Sequence, residues 1–319
     1  MKIIDKKNPV VCLGILVADI VGRPVKSFPD AGKLVLVDDM GLHTGGCAAN
    51  AAIGLAKLGI PVEVIGKVGN DAFGDFLLAQ LEQHKVGTQG VQRDPTTGTS
   101  ATMVMVHPDG ERSFVHYLGA NARLLPGDID FGLIKKASIL HFAGSFVLPG
   151  MDGQPTAALL QKTRAAGVTI FLDTVWDATG RWIELLAPCL PLIDYFVPSL
   201  GEAQKLTGLD HPEDVGRALL DRGVGVVALK MGSEGCLVMT GKGEKLRIPA
   251  FRVSVVDATG AGDAFAAGFI AGVWHDWPLE RTARLANAVG ALCVTEAGAS
   301  AGIRSLPETL EFMGSNLNI

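Results

Sequence analysis

Apolar residues fall along the chain in short runs separated by longer amphipathic stretches. Val10–Leu16, Pro61–Val68, Ser138–Phe142, Thr169–Leu172, Tyr195–Val197 and Val224–Leu229 are runs of this kind, and their length reads as strands buried on both faces. Between them, Gly46–Leu58, Ala72–His84, Gln154–Ala166 and Pro212–Arg222 carry helical patterns. A glycine follows each helix, at Gly59, Gly87, Gly167 and Gly223, a frequent helix stop. Strand–helix alternation predicts an α/β fold, a parallel sheet covered by helices on both faces.

Two stretches break the alternation. Residues 19–40 contain Pro24, Pro29 and a β-like piece at Lys33–Val37, and residues 99–118 alternate around His107-Pro108-Asp109-Gly110, a hairpin signal. These two segments are expected to pair into a small β-sheet lid; ordinary surface loops are the other reading. Further on, Gly235–Val255 predicts antiparallel strands turning at Gly241-Lys242-Gly243, and Leu279–Thr295 predicts an amphipathic helix. No repeat or low-complexity linker divides the chain, so a single domain over residues 1–319 is expected.

Composition narrows the function. Forty glycines in 319 residues is about one in eight, against roughly 7% in ordinary proteins, which suggests tight turns and close backbone approach to a ligand. A net charge of −5 without any run of Lys or Arg argues against a nucleic-acid partner. Five scattered cysteines with no C-x-x-C suggest reduced thiols in a cytoplasmic protein. Dispersed histidines argue against zinc. The longest uncharged helical stretch, Ala264–Trp274, is shorter than the roughly 18 residues a membrane span needs, so no membrane partner is expected.

The most informative segment is Asp257-Ala258-Thr259-Gly260-Ala261-Gly262-Asp263, expected between an apolar strand and a small-residue helix. Small residues there allow successive N–H groups to surround an anion at the helix start. Asp263, beside such an anion, could take a proton from an attacking hydroxyl, a combination suited to phosphoryl transfer. Equally, Asp263 could cap the helix while the glycines pack. A second segment, Gly45-Gly46-Cys47-Ala48-Ala49-Asn50, opens another small-residue helix, and Asp19 follows the first strand. An amide and a carboxylate near accessible backbone form a plausible polyol site, although each residue alone reads as a cap or turn.

Together these segments resemble the two signatures of the ribokinase/PfkB carbohydrate kinases. Gly46-x-Ala48-x-Asn50-x-Ala52 with Gly59 and Gly69 resembles the first, and Asp257–Ile270 with Gly-Ala-Gly-Asp intact resembles the second. Gly119-Ala120-Asn121, Pro198–Ala203 and Lys230–Gly235 extend the resemblance between them. It implies a ribokinase-like three-layer α/β fold, a Rossmann-like parallel sheet with a small β-sheet lid, and ATP-dependent phosphorylation of a sugar-type hydroxyl. Asp263 would be the general base, with Gly260, Ala261 and Gly262 as the anion hole. Asp19, Gly45, Gly46, Asn50 and Asn121 would hold the sugar. Ser199, Lys230, Gly232, Gly235 and Asn287 would line the nucleotide, and Glu202 would hold Mg2+ through its water shell. A monovalent cation such as K+ could lie beside Asp257 on carbonyls of residues 297–302, or that loop could simply close the adenine pocket. A homodimer through the lid is expected on separate grounds, because a small exposed sheet leaves edges and an apolar face that a partner chain could cover.

The chain also departs from family patterns. Ser199 replaces the usual Asn of Asn-x-x-Glu, and Ala258 replaces a common Thr or Ser. Cys47 stands where ribokinases carry Lys, and Asp173-Thr174-Val175-Trp176 lacks the Asn and Arg of many fructokinases and ketodeoxygluconate kinases. A sugar kinase is the main expectation. A nucleoside kinase on this scaffold is the alternative, with a catalytically silent, sugar-responsive interaction protein behind it. A dinucleotide-dependent oxidoreductase is set aside because Gly14–Asp19 does not form G-x-G-x-x-G.

Overall fold

The computed structural model describes residues 8–108 and 111–315. Thirteen strands are present among them: β1 (Val10–Gly14), β2 (Val17–Arg23), β3 (Asp39–Gly45), β4 (Val62–Gly69), β5 (Gly87–Asp94), β6 (Ala101–Val106), β7 (Arg112–Tyr117), β8 (Ile139–Ser145), β9 (Thr169–Thr174), β10 (Tyr195–Phe196), β11 (Val226–Lys230), β12 (Cys236–Thr240) and β13 (Lys245–Ile248). Nine of them form one sheet in the order β13-β12-β11-β10-β9-β8-β1-β4-β5. Its pairs are parallel from β5 across to β11, and β12 and β13 complete one edge antiparallel.

Alternation along the central strands builds two cores. Val10 and Cys12 point into one hydrophobic cluster, while Val11 and Leu13 point into the other, as the two-residue side-chain period of a strand requires. On the first face the helices Cys47–Lys57, Ala261–Trp274 and Leu279–Cys293 pack closely because their contact residues are small. A side chain at Gly268 would stand 2.8 Å from the Ala286 backbone, so part of the glycine excess serves helix packing.

The other four strands form the lid, in the order β3-β2-β6-β7. Its strands bracket both expected segments, but Lys33–Val37 is not one of them. Those residues lie in a largely exposed connection that pairs with no strand, and β3 follows it instead. The turn residues Asp109 and Gly110 lie outside the described residues. A second correction concerns Gly87. It opens β5 rather than stopping a helix, and the left-handed residue after Ala72–Gln83 is Lys85, φ 62°. Gly59, Gly167 and Gly223 do follow helices with positive φ.

Register divides the lid into two faces. Leu42, Ile20, Met103 and Val115 stand in one cross-strand row, and Leu42, Met103 and Val115 are exposed. The neighbouring row places Asp19 beside Thr102, and Thr102 beside His116. Asp19 and Thr102 are buried, and Asp19 lies close enough to Asp263 to feel its charge.

Candidate active site

The C-terminal ends of β9 and β11, the start of the Ala261–Trp274 helix and the inner face of the lid converge on one site. Open α/β sheets bind ligands at this edge. Asp257 organises the loop before the helix. Its Oδ1 accepts from Thr259 N–H (2.9 Å) and from the Thr259 hydroxyl (2.6 Å), and its Oδ2 accepts from Gly298 N–H (2.9 Å). Burial pushes its carboxyl up, but these hydrogen bonds outweigh it and leave the pKa below the ordinary value. Gly260 then enters the helix at φ 77°, where a Cβ would stand 2.2 Å from the Ala299 carbonyl oxygen. A left-handed residue pressed against backbone has to be glycine. The first N–H groups of a helix lack intrahelical acceptors, so this turn presents donors; that of Ala261 makes only a long 3.4 Å contact back to Ala258.

Asp263 lies in the first helical turn. Its Oδ2 accepts from Asn50 Nδ2 at 2.8 Å, and the Cys47 thiol also donates to it. Burial raises the Asp263 pKa, and the Asn50 bond, the Lys230 charge and the Cys47 bond offset the rise only in part. The other end of the Asn50 amide is the informative one. Its Oδ1 is buried and, among the described residues, has no partner. Asn50 owes its position to the turn at Gly46, φ 87°, where a Cβ would meet the Ile15 carbonyl oxygen at 2.4 Å. Asp19 lies over Gly45, its Oδ2 2.1 Å from where a Gly45 Cβ would be. Burial chiefly, with the Asp263 charge, pushes Asp19 up to about 6 against the lowering bond from Thr102.

Lys230, at the end of β11, pairs with Asp173 at 2.7 Å. Burial opposes the Lys230 charge, but Asp173, Glu202 and Asp263 hold the ammonium above its usual pKa. Asp173 is itself raised, first by burial, with Lys230 acting against the rise. A Cβ at Gly262 would stand 3.3 Å from Lys230 Nζ, which puts the ammonium beside the anion-hole turn. Ser199 and Glu202 form a reciprocal cap on the Leu200–Thr207 helix, with Glu202 N–H donating to Ser199 Oγ (3.3 Å) and Ser199 N–H to Glu202 Oε2 (3.0 Å). Thr174 also donates to Glu202 (3.1 Å). Serine in the Asn position therefore keeps the cap.

The remaining candidates have other neighbours. Asn121 is fully buried, and its amide both donates to the Leu16 carbonyl (3.0 Å) and accepts from Leu16 N–H (3.2 Å). It pins the chain where β1 passes into the lid. Asn287 donates to the carbonyls of Ile248 and Pro249, both at 3.0 Å. Gly232 and Gly235 lie in the turn between β11 and β12, both with positive φ. In the 297–302 loop, Lys57 Nζ donates to the carbonyls of Ser300 (2.7 Å) and Ala301 (3.2 Å). Three site residues escape motif reading: Asp173, Lys57, and Arg112 of the lid, which donates to Thr259 Oγ1 at 2.8 Å. Only Asp173 left a signal, as a charged residue closing the apolar run Thr169–Leu172.

A ribokinase-like sheet, a lid over its C-terminal edge and a buried carboxylate at a glycine-cornered helix start define a small-molecule kinase. The chain belongs to the pfkB family of carbohydrate kinases, whose family model matches residues 7–306. It is 32% identical over 308 residues to a probable chloroplastic fructokinase-6 of Arabidopsis thaliana, covering 91% of this chain and 78% of that protein. Arabidopsis thaliana ribokinase complexed with ribose and ATP superposes with a TM-score of 0.84 at 25% identity, covering 96% and 98% of the two chains. An Escherichia coli putative ribokinase II in complex with ATP and magnesium gives the same TM-score and identity, covering 97% and 100%. The protein is an ATP-dependent carbohydrate kinase. Among the described residues no helix is long and apolar enough to cross a membrane.

Proposed function

We propose that the protein transfers the γ-phosphoryl group of ATP to a hydroxyl of a neutral, unphosphorylated sugar. The observation carrying this reading is the buried, unpartnered Oδ1 of Asn50 beside Asp263. An acceptor left unmet in a buried site is costly, and a sugar hydroxyl supplies the missing donor. Asp19, an acceptor when ionised, would take a second hydroxyl. The Asp19 and Asp263 carboxylates, close enough for one to raise the pKa of the other, would repel a sugar acid or sugar phosphate between them, which favours a neutral substrate.

In the reaction, the sugar hydroxyl attacks the γ-phosphorus in line, its proton passes to Asp263, and the oxygen bridging the β- and γ-phosphorus atoms leaves with ADP. The raised pKa of Asp263 strengthens it as a base. Charge on the transferred group would meet the N–H groups of Gly260, Ala261 and Gly262, with the Lys230 ammonium beside them. Gly232 and Gly235 would lie along the nucleotide phosphates, and Asn287 would hold the chain near the base through Ile248 and Pro249. Magnesium, when bound, supplies positive charge to the triphosphate. Glu202 fits a contact through water, since magnesium keeps much of its hydration and takes one or two carboxylates, and no cluster of three metal-binding side chains occurs among the described residues. A cation such as K+ beside Asp257 would draw on carbonyls other than those of Ser300 and Ala301, which Lys57 takes. The apolar row Leu42, Ile20, Met103 and Val115 suits cover by the same face of a second copy, a homodimer in the cytoplasm.

A coupled assay of ADP release tests the substrate class, with fructose, ribose and 2-deoxyribose set against gluconate, fructose 6-phosphate, adenosine and inosine. Turnover of a neutral sugar is the expected result. Turnover of a nucleoside alone would replace this reading with the nucleoside kinase, and turnover of gluconate or fructose 6-phosphate in preference to the neutral sugars would overturn the neutral-substrate assignment.

A further inference from the structure

Arg112 opens β7 in the lid, and its Nη1 donates to Thr259 Oγ1 at 2.8 Å. Thr259 immediately precedes Gly260, so a cation from the lid stands at the corner of the catalytic turn. The Thr259 hydroxyl gives its one hydrogen to Asp257 Oδ1 at 2.6 Å, which leaves only its lone pairs for Arg112. The guanidinium therefore rests on a neutral oxygen. Both oxygens of Asp257 are already held, Oδ1 by Thr259 and Oδ2 by Gly298 N–H, and the Arg112 charge reaches that carboxylate only across space.

The second cation at the turn is committed. Lys230 Nζ stands beside Gly262, but it pairs with the buried Asp173 carboxylate at 2.7 Å. Among the described residues Arg112 has no carboxylate in ion-pair contact. A guanidinium carries five N–H donors in a planar fork. One goes to Thr259, the fork lies 5.8 Å from the centre of the Phe114 ring, and the described residues take none of the remaining donors. The turn thus has one cation whose charge and donors are largely unspent, and the lid supplies it.

We propose that Arg112 is a catalytic residue delivered by the lid, its free N–H groups bonding the non-bridging oxygens of the γ-phosphoryl group during transfer while Thr259 holds the fork in place. This rests on the anion-hole reading of Gly260, Ala261 and Gly262. The transferred group spreads negative charge over its equatorial oxygens. Backbone N–H groups meet that charge from the helix, and a planar, permanently charged fork suits its other side. No bond of Arg112 is made or broken: the proton of the sugar hydroxyl passes to Asp263, and the guanidinium keeps its own. One four-stranded sheet carries both Asp19 and Arg112, so the lid that covers the sugar also completes the charge around the phosphoryl group.

Arg112→Ala and Arg112→Lys, assayed with ATP and the sugar turned over fastest in the assay above, test the role. In Arg112→Ala, kcat should fall by about 10² or more, the effect of losing one preorganised donor, while the calorimetric Kd for ATP and the sugar KM move by less than about fivefold. Lysine keeps the charge without the fork, so Arg112→Lys should recover only part of the loss. Guanidinium chloride below the unfolding transition should raise the kcat of Arg112→Ala saturably, by about tenfold or more, with ethylammonium and sodium chlorides at equal ionic strength without effect. A kcat within about threefold of wild type, a loss confined to KM, or absence of guanidinium rescue overturns the proposal. Should Arg112→Ala not fold, Arg112→Lys decides: a lowered kcat at unchanged KM supports the role, and a wild-type kcat overturns it. Asp263→Asn separates this inference from the reading beneath it. Full activity there means that the catalytic turn itself is misassigned, whereas a lost kcat there beside full activity in Arg112→Ala removes Arg112 alone.

Discussion

The side-chain amide of Asn50 donates to the carboxylate of Asp263 at 2.8 Å, joining residues 213 positions apart. One residue thereby holds the proposed base and offers its other atom, a buried oxygen without a partner, to the substrate. The two functions separate by experiment. Asn50→Ala removes a donor that stabilises the ionised form of Asp263, so the acidic limb of the kcat/KM profile moves to higher pH. It also removes the sugar acceptor, and the sugar KM rises by about tenfold to a hundredfold, the worth of a hydrogen bond to a polar or charged partner. A change in KM with no movement of the pH limb rules out the bridging role.

Asp263→Asn keeps the shape and the helix but cannot take a proton. Its kcat should fall by at least about 10² to 10⁴, the usual contribution of a general base, while the affinity for ATP measured calorimetrically changes little. Activity near wild type removes Asp263 from the mechanism.

Which parts of this were legible in the sequence follows from physics. Buried strands such as Val10–Gly14 announce themselves because both faces need apolar side chains. The glycine corners at Gly46 and Gly260 stand out because backbone crowds them and their φ is positive. Long-range pairs leave no such trace. The Lys230–Asp173 ion pair and the Arg112–Thr259 bond join residues 57 and 147 apart, and nothing local at either end marks its partner. Gly87 misled for the converse reason: a glycine shortly after a helix reads as a stop, yet the turn was made at Lys85 and the strand had already begun. Lys33–Val37 carries β-branched residues but no pairing edge, and propensity without a partner makes no strand.

Gly260→Ala tests the corner before the anion hole. The residue sits at φ 77°, and a methyl group would stand 2.2 Å from the Ala299 carbonyl oxygen, so either the 297–302 loop or the helix start has to move. Strain of this kind costs of order 1–3 kcal/mol, and displacement of the donors lowers kcat by about 10² to 10³, the effect of losing one such donor elsewhere. Denaturant melts give the first figure and steady-state kinetics the second. A stable variant with full kcat would show that the turn tolerates a side chain and does not position the transferred group.

Asp19 predicts a trade between stability and function. In the folded protein its carboxyl is pushed up to about 6 from 3.8, chiefly by burial, with the Asp263 charge adding to the rise. Below pH 3.8 the group is protonated whether the chain is folded or not, and its charge has no influence on folding. Between pH 3.8 and about 6 the unfolded chain ionises while the folded chain holds its proton, so stability falls as pH rises; above about 6 the full penalty remains. About two pKa units correspond to about 3 kcal/mol. Asp19→Asn, which still accepts from Thr102, is therefore expected to gain up to about 3 kcal/mol at pH 8 and nothing near pH 3.5, as read from urea melts at the two values. The same variant should lose sugar affinity, because the carboxylate that destabilises the empty fold is the acceptor the substrate requires. Equal stability of the two proteins at pH 8 would mean that the folded site already relieves the Asp19 charge without substrate.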